Sequence, residues 1–277
     1  MGVAEGFKII CIMGKMKKFK KYGRVWWLMA KNAAIVMFAT RYGAVLFLAG
    51  KILRFGFFVY FLSVVVGGVD NLAGYDFNAV IFFFLTFSLV DTLSQCLFRE
   101  VYRFRSHVVN GTLDFILLKP VNPLFRSLMG GPDILDFITL VPLLGALFWF
   151  MIRMQLGLAG VGLYLLFVIN GMALATALHV LVLGLGVITT EVDHAMMIYR
   201  DVTGMGRMPV DVYKYPVNVI LTWFLPVAAM MSFPVKVALG LLSWWGGLAA
   251  IVAGVGLLLL ALEFWGYAIK QYSSASS

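Results

Sequence analysis

An all-α integral membrane protein with six transmembrane helices is the fold class this sequence predicts, and three observations predict it. Hydrophobic residues fill 62% of the 277 positions and charged residues only 13%, against about 45–50% and about 25% in soluble domains. Apolar runs near 43–68, 77–98, 133–151, 157–189, 217–235 and 238–265 approach or exceed the roughly 20 residues that cross a hydrocarbon core about 30 Å thick. The two-residue alternation that an outer-membrane barrel repeats in strands of about ten residues is missing.

Residues 1–41 hold nine of the 22 Lys and Arg residues. Phe19, Tyr22, Trp26, Met29, Ala33 and Met37 fall at three- and four-residue spacings, with Lys17, Lys20, Lys21, Arg24 and Lys31 largely off that stripe. The pattern predicts an amphipathic helix lying in the membrane interface, its lysines meeting anionic lipid. Because Lys8 and Lys15 to Lys21 interrupt any apolar core, no cleavable signal peptide is expected and the first span serves as insertion signal. Residues 42–268 then form a six-span domain and 269–277 a short cytoplasmic tail. Cys11 and Cys96 are the only cysteines. Both fall on the cytoplasmic side and read as reduced, structural residues.

Five more Lys and Arg residues lie in 99–129 and none in the 69–76 loop. The positive-inside rule therefore places both termini and the 99–129 segment in the cytoplasm. Topology accounts for the net charge of +9, and no nucleic-acid partner is expected, since no soluble domain is present to hold a duplex.

The Arg99–Met129 segment is the main polar interruption. Arg99, Glu100 and Arg103 should prolong the second span into water, with Glu100 and Arg103 pairing weakly. Asn110-Gly111 breaks that helix, Thr112 is a candidate N-cap, and Pro120 ends a short helical stub at Leu113–Leu118. The stub is too apolar to hang free. Either it folds back on the membrane or it fills a groove on a partner.

The run VVNGTLDFILLKPVNPLF resembles the motif G-x-L-D-x-x-L-x-x-P-x-N-P of bacterial membrane subunits of type-2 ATP-binding cassette (ABC) exporters. VYKYPVNVILTWFLPVAAMMSFPVKVALG resembles that group's second signature, a Y-P element before an apolar stretch with a proline pair. The resemblance implies a permease in the bacterial plasma membrane, paired with an identical or paralogous second permease subunit. Separate ATP-binding cassette subunits would dock beneath it. It also implies a cytoplasmic coupling helix formed or bordered by Gly111, Leu113, Asp114, Leu117, Lys119 and Pro120, with the amino-terminal helix as a second contact. No G-x-x-x-x-G-K-[ST] occurs in the chain, so ATP and Mg would be bound by the partner and no cofactor is expected here.

Among intramembrane charges, Arg54 and Asp91 each lie 14 residues inward from the outer ends of their spans (68 and 77), which predicts an ion pair between them. Snorkelling of Lys51 and Arg54, with Asp91 in a wet cavity, is the alternative. Asp133 and Asp136 read as charge compensation at a helix N-terminus, His179 as a hydrogen-bonded interior residue, and Glu191, Asp193 and His194 as too few ligands for a metal.

The 33-residue run from Gly157 to Thr189 would reach roughly 50 Å as one helix. Splitting it at Asn170-Gly171 leaves 190–235 external, with 217–235 re-entrant before the last span. Leaving it whole puts Arg200, Arg207 and Lys214 in the cytoplasm. Charge favours the second arrangement; run length and the re-entrant hairpin of the family it resembles favour the first, which is taken here. The expected function is the permease half of an ABC exporter, not itself an enzyme. An ATP-independent secondary transporter, with Arg54, Asp91 or His179 serving coupling ions, is the alternative.

Overall fold

The computed structural model describes residues 2–39, 41–68 and 71–273, with side chains placed from Lys20 onward except at Arg41. The expectations made for the side chains of Cys11, Phe19 and the lysines before Lys20, and for tail residues 274–277, lie outside the described residues.

The chain folds as an all-α membrane protein. Its helices are α1 (Gly2–Ala39), α2 (Arg41–Gly67), α3 (Phe77–Phe98), α4 (Phe104–Val109), α5 (Thr112–Leu117), α6 (Pro123–Met129), α7 (Ile134–Arg153), α8 (Leu158–Thr189), α9 (Val192–Gly204), α10 (Val217–Phe224), α11 (Ala228–Ala238) and α12 (Trp244–Gln271). Of these, α2, α3, α7, α8 and α12 are long and apolar enough to cross a membrane. In α1, Tyr22, Trp26, Met29, Ala33 and Met37 are half-buried while Trp27, Leu28, Ile35 and Val36 are exposed. Trp26 packs edge-on against Phe137 of α7.

The helix α8 is the central post. Thr86 bonds Tyr164 at 3.0 Å and Ser94 meets the Met172 sulfur at 3.9 Å, both pairs 78 residues apart, so α3 runs parallel to α8. Asn170 donates to the Ala250 carbonyl at 3.1 Å and Gly184 lies against Phe264, so α12 is parallel as well. The expected break at Asn170-Gly171 does not occur, because both residues make helix contacts instead of a turn. Asn170 ties α8 to α12, and a Cβ on Gly171 would strike the Met230 carbonyl of α11. The surplus length of α8 is at the end bearing residues 99–129 (the basal end), where Leu183 and Val187 pack with Phe104 and Leu113.

A polar climb from the basal to the distal end follows α8, and neither arrangement expected from the sequence contained it. Val192 of α9 abuts Gly186 and Tyr199 abuts His179, so α9 climbs antiparallel to α8 from the basal end. Two 3-10 turns, Met205–Arg207 and Val210–Val212, continue the climb to Asp211. There the Tyr75 hydroxyl, in the loop at the opposite (distal) end, donates to the Asp211 carboxylate at 3.0 Å.

A re-entrant element follows, as expected. The helices α10 and α11 meet at a 77° bend, where Pro226 lacks the N–H that a continuous helix needs. The elbow is deep, with Val227 and Met231 against Gly206. Both arms return to the distal end. Before α10, Asp211 holds Tyr75; in α11, Lys236 donates to that same carboxylate at 2.8 Å and the Ala238 carbonyl reaches Gly160 near the start of α8.

Candidate functional site

Two features stand out, a short helix with an exposed apolar face at the basal end and a charged cavity above it. Gly111 sits at φ 67 and precedes α5 in the N-cap position, a left-handed conformation that favours glycine. Thr112 is not the cap. Its hydroxyl instead meets Nδ1 of His107 at 2.9 Å. Leu113 and Ile116 are buried against α4 and the end of α8, and Leu117 is half-buried. Phe115 and Leu118 point outward, 65% and 81% exposed. The stub therefore has two apolar faces, one anchored and one open. Asp114 lies beside the Tyr272 hydroxyl after α12; burial and that carboxylate together raise the tyrosine pKa. Lys119 and Pro120 are exposed, and the Pro120 carbonyl accepts a 2.9 Å bond from Lys21 of α1. Tyr22 adds an edge-on contact to Phe125, so α1 clamps the turn that follows α5.

The element is mounted on a residue expected in water. Glu100 lies in a 3-10 turn, Arg99–Arg103, and is buried. Arg126 donates to it at 2.7 Å, His107 lies 3.3 Å away and Arg103 3.5 Å. Burial alone would raise the Glu100 pKa, but the hydrogen bonds from His107 and Arg126 outweigh it and hold the carboxyl below its usual range. Gly130 and Gly131 make room, since a Cβ on Gly131 would approach the Glu100 carboxylate within 2.5 Å and one on Gly130 would overlap Arg126. The Gly-Gly pair after an arginine was the signal for this cluster in the sequence.

The cavity, about 500 Å³, is walled by α2, α3 and α9. From α9 and its extension come Asp193, Met197, Arg200, Gly204 and Arg207, a stripe at four- and three-residue spacing that marks one helix face; Met196, Thr203 and Asp201 flank it. Phe87, Asp91 and Gln95 line it from α3, Arg54 from α2 and Tyr102 from the turn below. Arg54 and Asp91 thus share one cavity but form no direct ion pair among the described residues. Phe55 and Phe58 register against Phe84, which sets Arg54 level with Phe87, one turn from Asp91. Asp91 instead accepts a 2.8 Å bond from Gln95. The intramembrane pair that does form joins Lys51 to buried Asp136 of α7. Asp133 caps α7 through Leu135 N–H at 3.1 Å, with Arg99 3.7 Å away. His179 is buried, its Nδ1 bonded to the Ala175 carbonyl at 2.8 Å.

No curated protein and no solved structure matches the chain. A family model does match, over residues 51–276, and it is described as that of an ABC-2 family transporter protein. Its span takes in both the α5 element and the charged cavity, and the chain therefore belongs to the ABC-2 transporter family, as a permease component of an ABC transporter.

Proposed function

We propose that the chain is the permease half of an ABC exporter in the bacterial plasma membrane, with both termini in the cytoplasm. The α5 helix is its coupling helix. The observation carrying this reading is the division of labour on α5, where Leu113 and Ile116 are sunk into the bundle and Phe115 and Leu118 are offered beside them. A separate ATP-binding cassette subunit, holding ATP and Mg, grips that open face. ATP binding shifts the bundle only through a difference in affinity for its two states, and Gly111 and the Glu100 cluster keep the gripped element stiff enough to pass it on. The exposed polar side of α9, with His194 and Asp201, cannot face hydrocarbon cheaply. A second permease subunit, identical or paralogous, covers it.

Co-purification with a subunit carrying a Walker A loop tests the reading. Changing Gly111 to Val or Asp114 to Ala should weaken that association. Intact association and transport after both changes would sink the docking role.

A further inference from the structure

We propose that the α2–α3–α9 cavity is a binding site for an oxyanion group, of phosphate type, carried on an apolar body. Three guanidinium groups, those of Arg54, Arg200 and Arg207, line it. Among the described residues none of the three makes a hydrogen bond or ion pair to a carboxylate, although each presents five N–H donors. Arg207 is held from behind instead. Its guanidinium lies over the rings of Phe87 and Phe58, 5.6 and 5.9 Å from their centroids, which fixes its plane and leaves its N–H edge for a ligand. The like charges of Arg54 and Arg200 act on it together with the opposite charge of Asp91. Like charges gathered at membrane depth are costly unless an opposite charge enters between them.

The cavity's carboxylates offset only part of the charge of its three arginines, because Asp91 supplies one opposite charge while Asp193 is paired outside the cavity and Asp201 lies to one side. Asp91 receives Gln95 and Asp193 faces Arg105 at 3.5 Å. Asp201 adjoins Arg200 in sequence and supplies no bond to it. The rest of the wall is mixed, with Gln95, Tyr102 and Thr203 beside Met196, Met197 and Phe87, and Phe57, one turn from Arg54 on α2, is exposed. A charged pocket with methionine and phenylalanine in its wall, beside an exposed aromatic of α2, suits an amphiphile whose headgroup is the anion. Shared chemistry leaves two sources, an anionic lipid-like headgroup and a free oxyanion.

The inference rests on the permease reading and is tested apart from it. Purified full-length protein in phosphatidylcholine nanodiscs is titrated with dioctanoyl phosphatidic acid, dioctanoylglycerol and inorganic phosphate by calorimetry. Phosphatidic acid should bind, dioctanoylglycerol should not, and Arg207→Gln or Arg200→Gln should weaken binding on the order of tenfold or more, the loss expected for a charged hydrogen bond. Arg207→Lys should recover part of it, which guards against a misfolded Gln variant, and Arg153→Gln, outside the cavity, should leave it unchanged. Inorganic phosphate binding as tightly as phosphatidic acid would support the oxyanion site and identify the soluble source. Equal binding of dioctanoylglycerol, unchanged affinity in the Arg200 and Arg207 variants, or loss of binding in Asp201→Asn alone would overturn the proposal. Retained association with the ATP-binding subunit alongside any of those outcomes would overturn this inference and leave the permease reading standing.

Discussion

Arg126 reaches back across 26 residues to donate a 2.7 Å bond to the buried carboxylate of Glu100, and the short helices α4 and α5 hang between them. Through His107 the same carboxylate is linked to Thr112, the first residue of α5.

That bond sets an acid limit on the basal end. A carboxyl whose folded pKa is depressed stabilises the fold above its unfolded pKa and loses that contribution as pH falls through the folded value. Thermal unfolding in detergent should therefore show wild type losing stability below the usual glutamate value of 4.5 more steeply than Glu100→Gln. Glu100→Ala at neutral pH should cost about 3 kcal/mol, since it strands a partly buried Arg126. Parallel pH profiles for wild type and Glu100→Gln would contradict the assignment.

Docking and packing on α5 separate by substitution. Leu113→Ala empties a fully buried site and should cost about 2–5 kcal/mol of stability. Phe115→Asp and Leu118→Asp should leave unfolding within about 0.5 kcal/mol of wild type yet abolish recovery of the ATP-binding subunit in a pull-down. Recovery of that subunit by both Asp variants would assign Phe115 and Leu118 to lipid contact instead.

The contact between α8 and α11 depends on a missing side chain. Gly171→Ala drives a Cβ into the Met230 backbone and is expected to destabilise by about 1–3 kcal/mol. Gly56→Ala, inside α2 where nothing lies within 4 Å, is the matched control, expected to be neutral or slightly stabilising, both variants being read by thermal unfolding in detergent.

Sidedness distinguishes the polar passage from a loop. With the basal end in the cytoplasm, a cysteine at His194, 74% exposed, should react only in inside-out vesicles. One at Tyr215, 82% exposed, should react in intact cells. Labelling of both from one side would remove α9 as a crossing.

Much of this architecture was legible in the sequence, and the failures have physical causes. Long apolar runs revealed α3, α7 and α12, and Gly111 and Pro120 bounded α5. The α9 passage was hidden because apolarity was the test for a span, and a helix that lines a charged cavity fails it. The spacing of Asp193, Met197, Arg200, Gly204 and Arg207 was the readable signal. Asn170-Gly171 looked like a turn because that dipeptide often is one; inside a bundle the same residues serve as a buried hydrogen bond and a close approach. Counting inward from span ends brought Arg54 and Asp91 to one cavity. It could not show that α7 would bring Asp136 to Lys51.

The Asp211 carboxylate receives Tyr75 from the first distal loop and Lys236 from the re-entrant arm, while its own backbone ends the polar passage. A single acidic side chain thus works as one rivet through three plates. Shearing that rivet would loosen the loop, the arm and the cavity wall in one step, although Val227 and Met231 against Gly206 and Ala238 against Gly160 would still hold the arm in place.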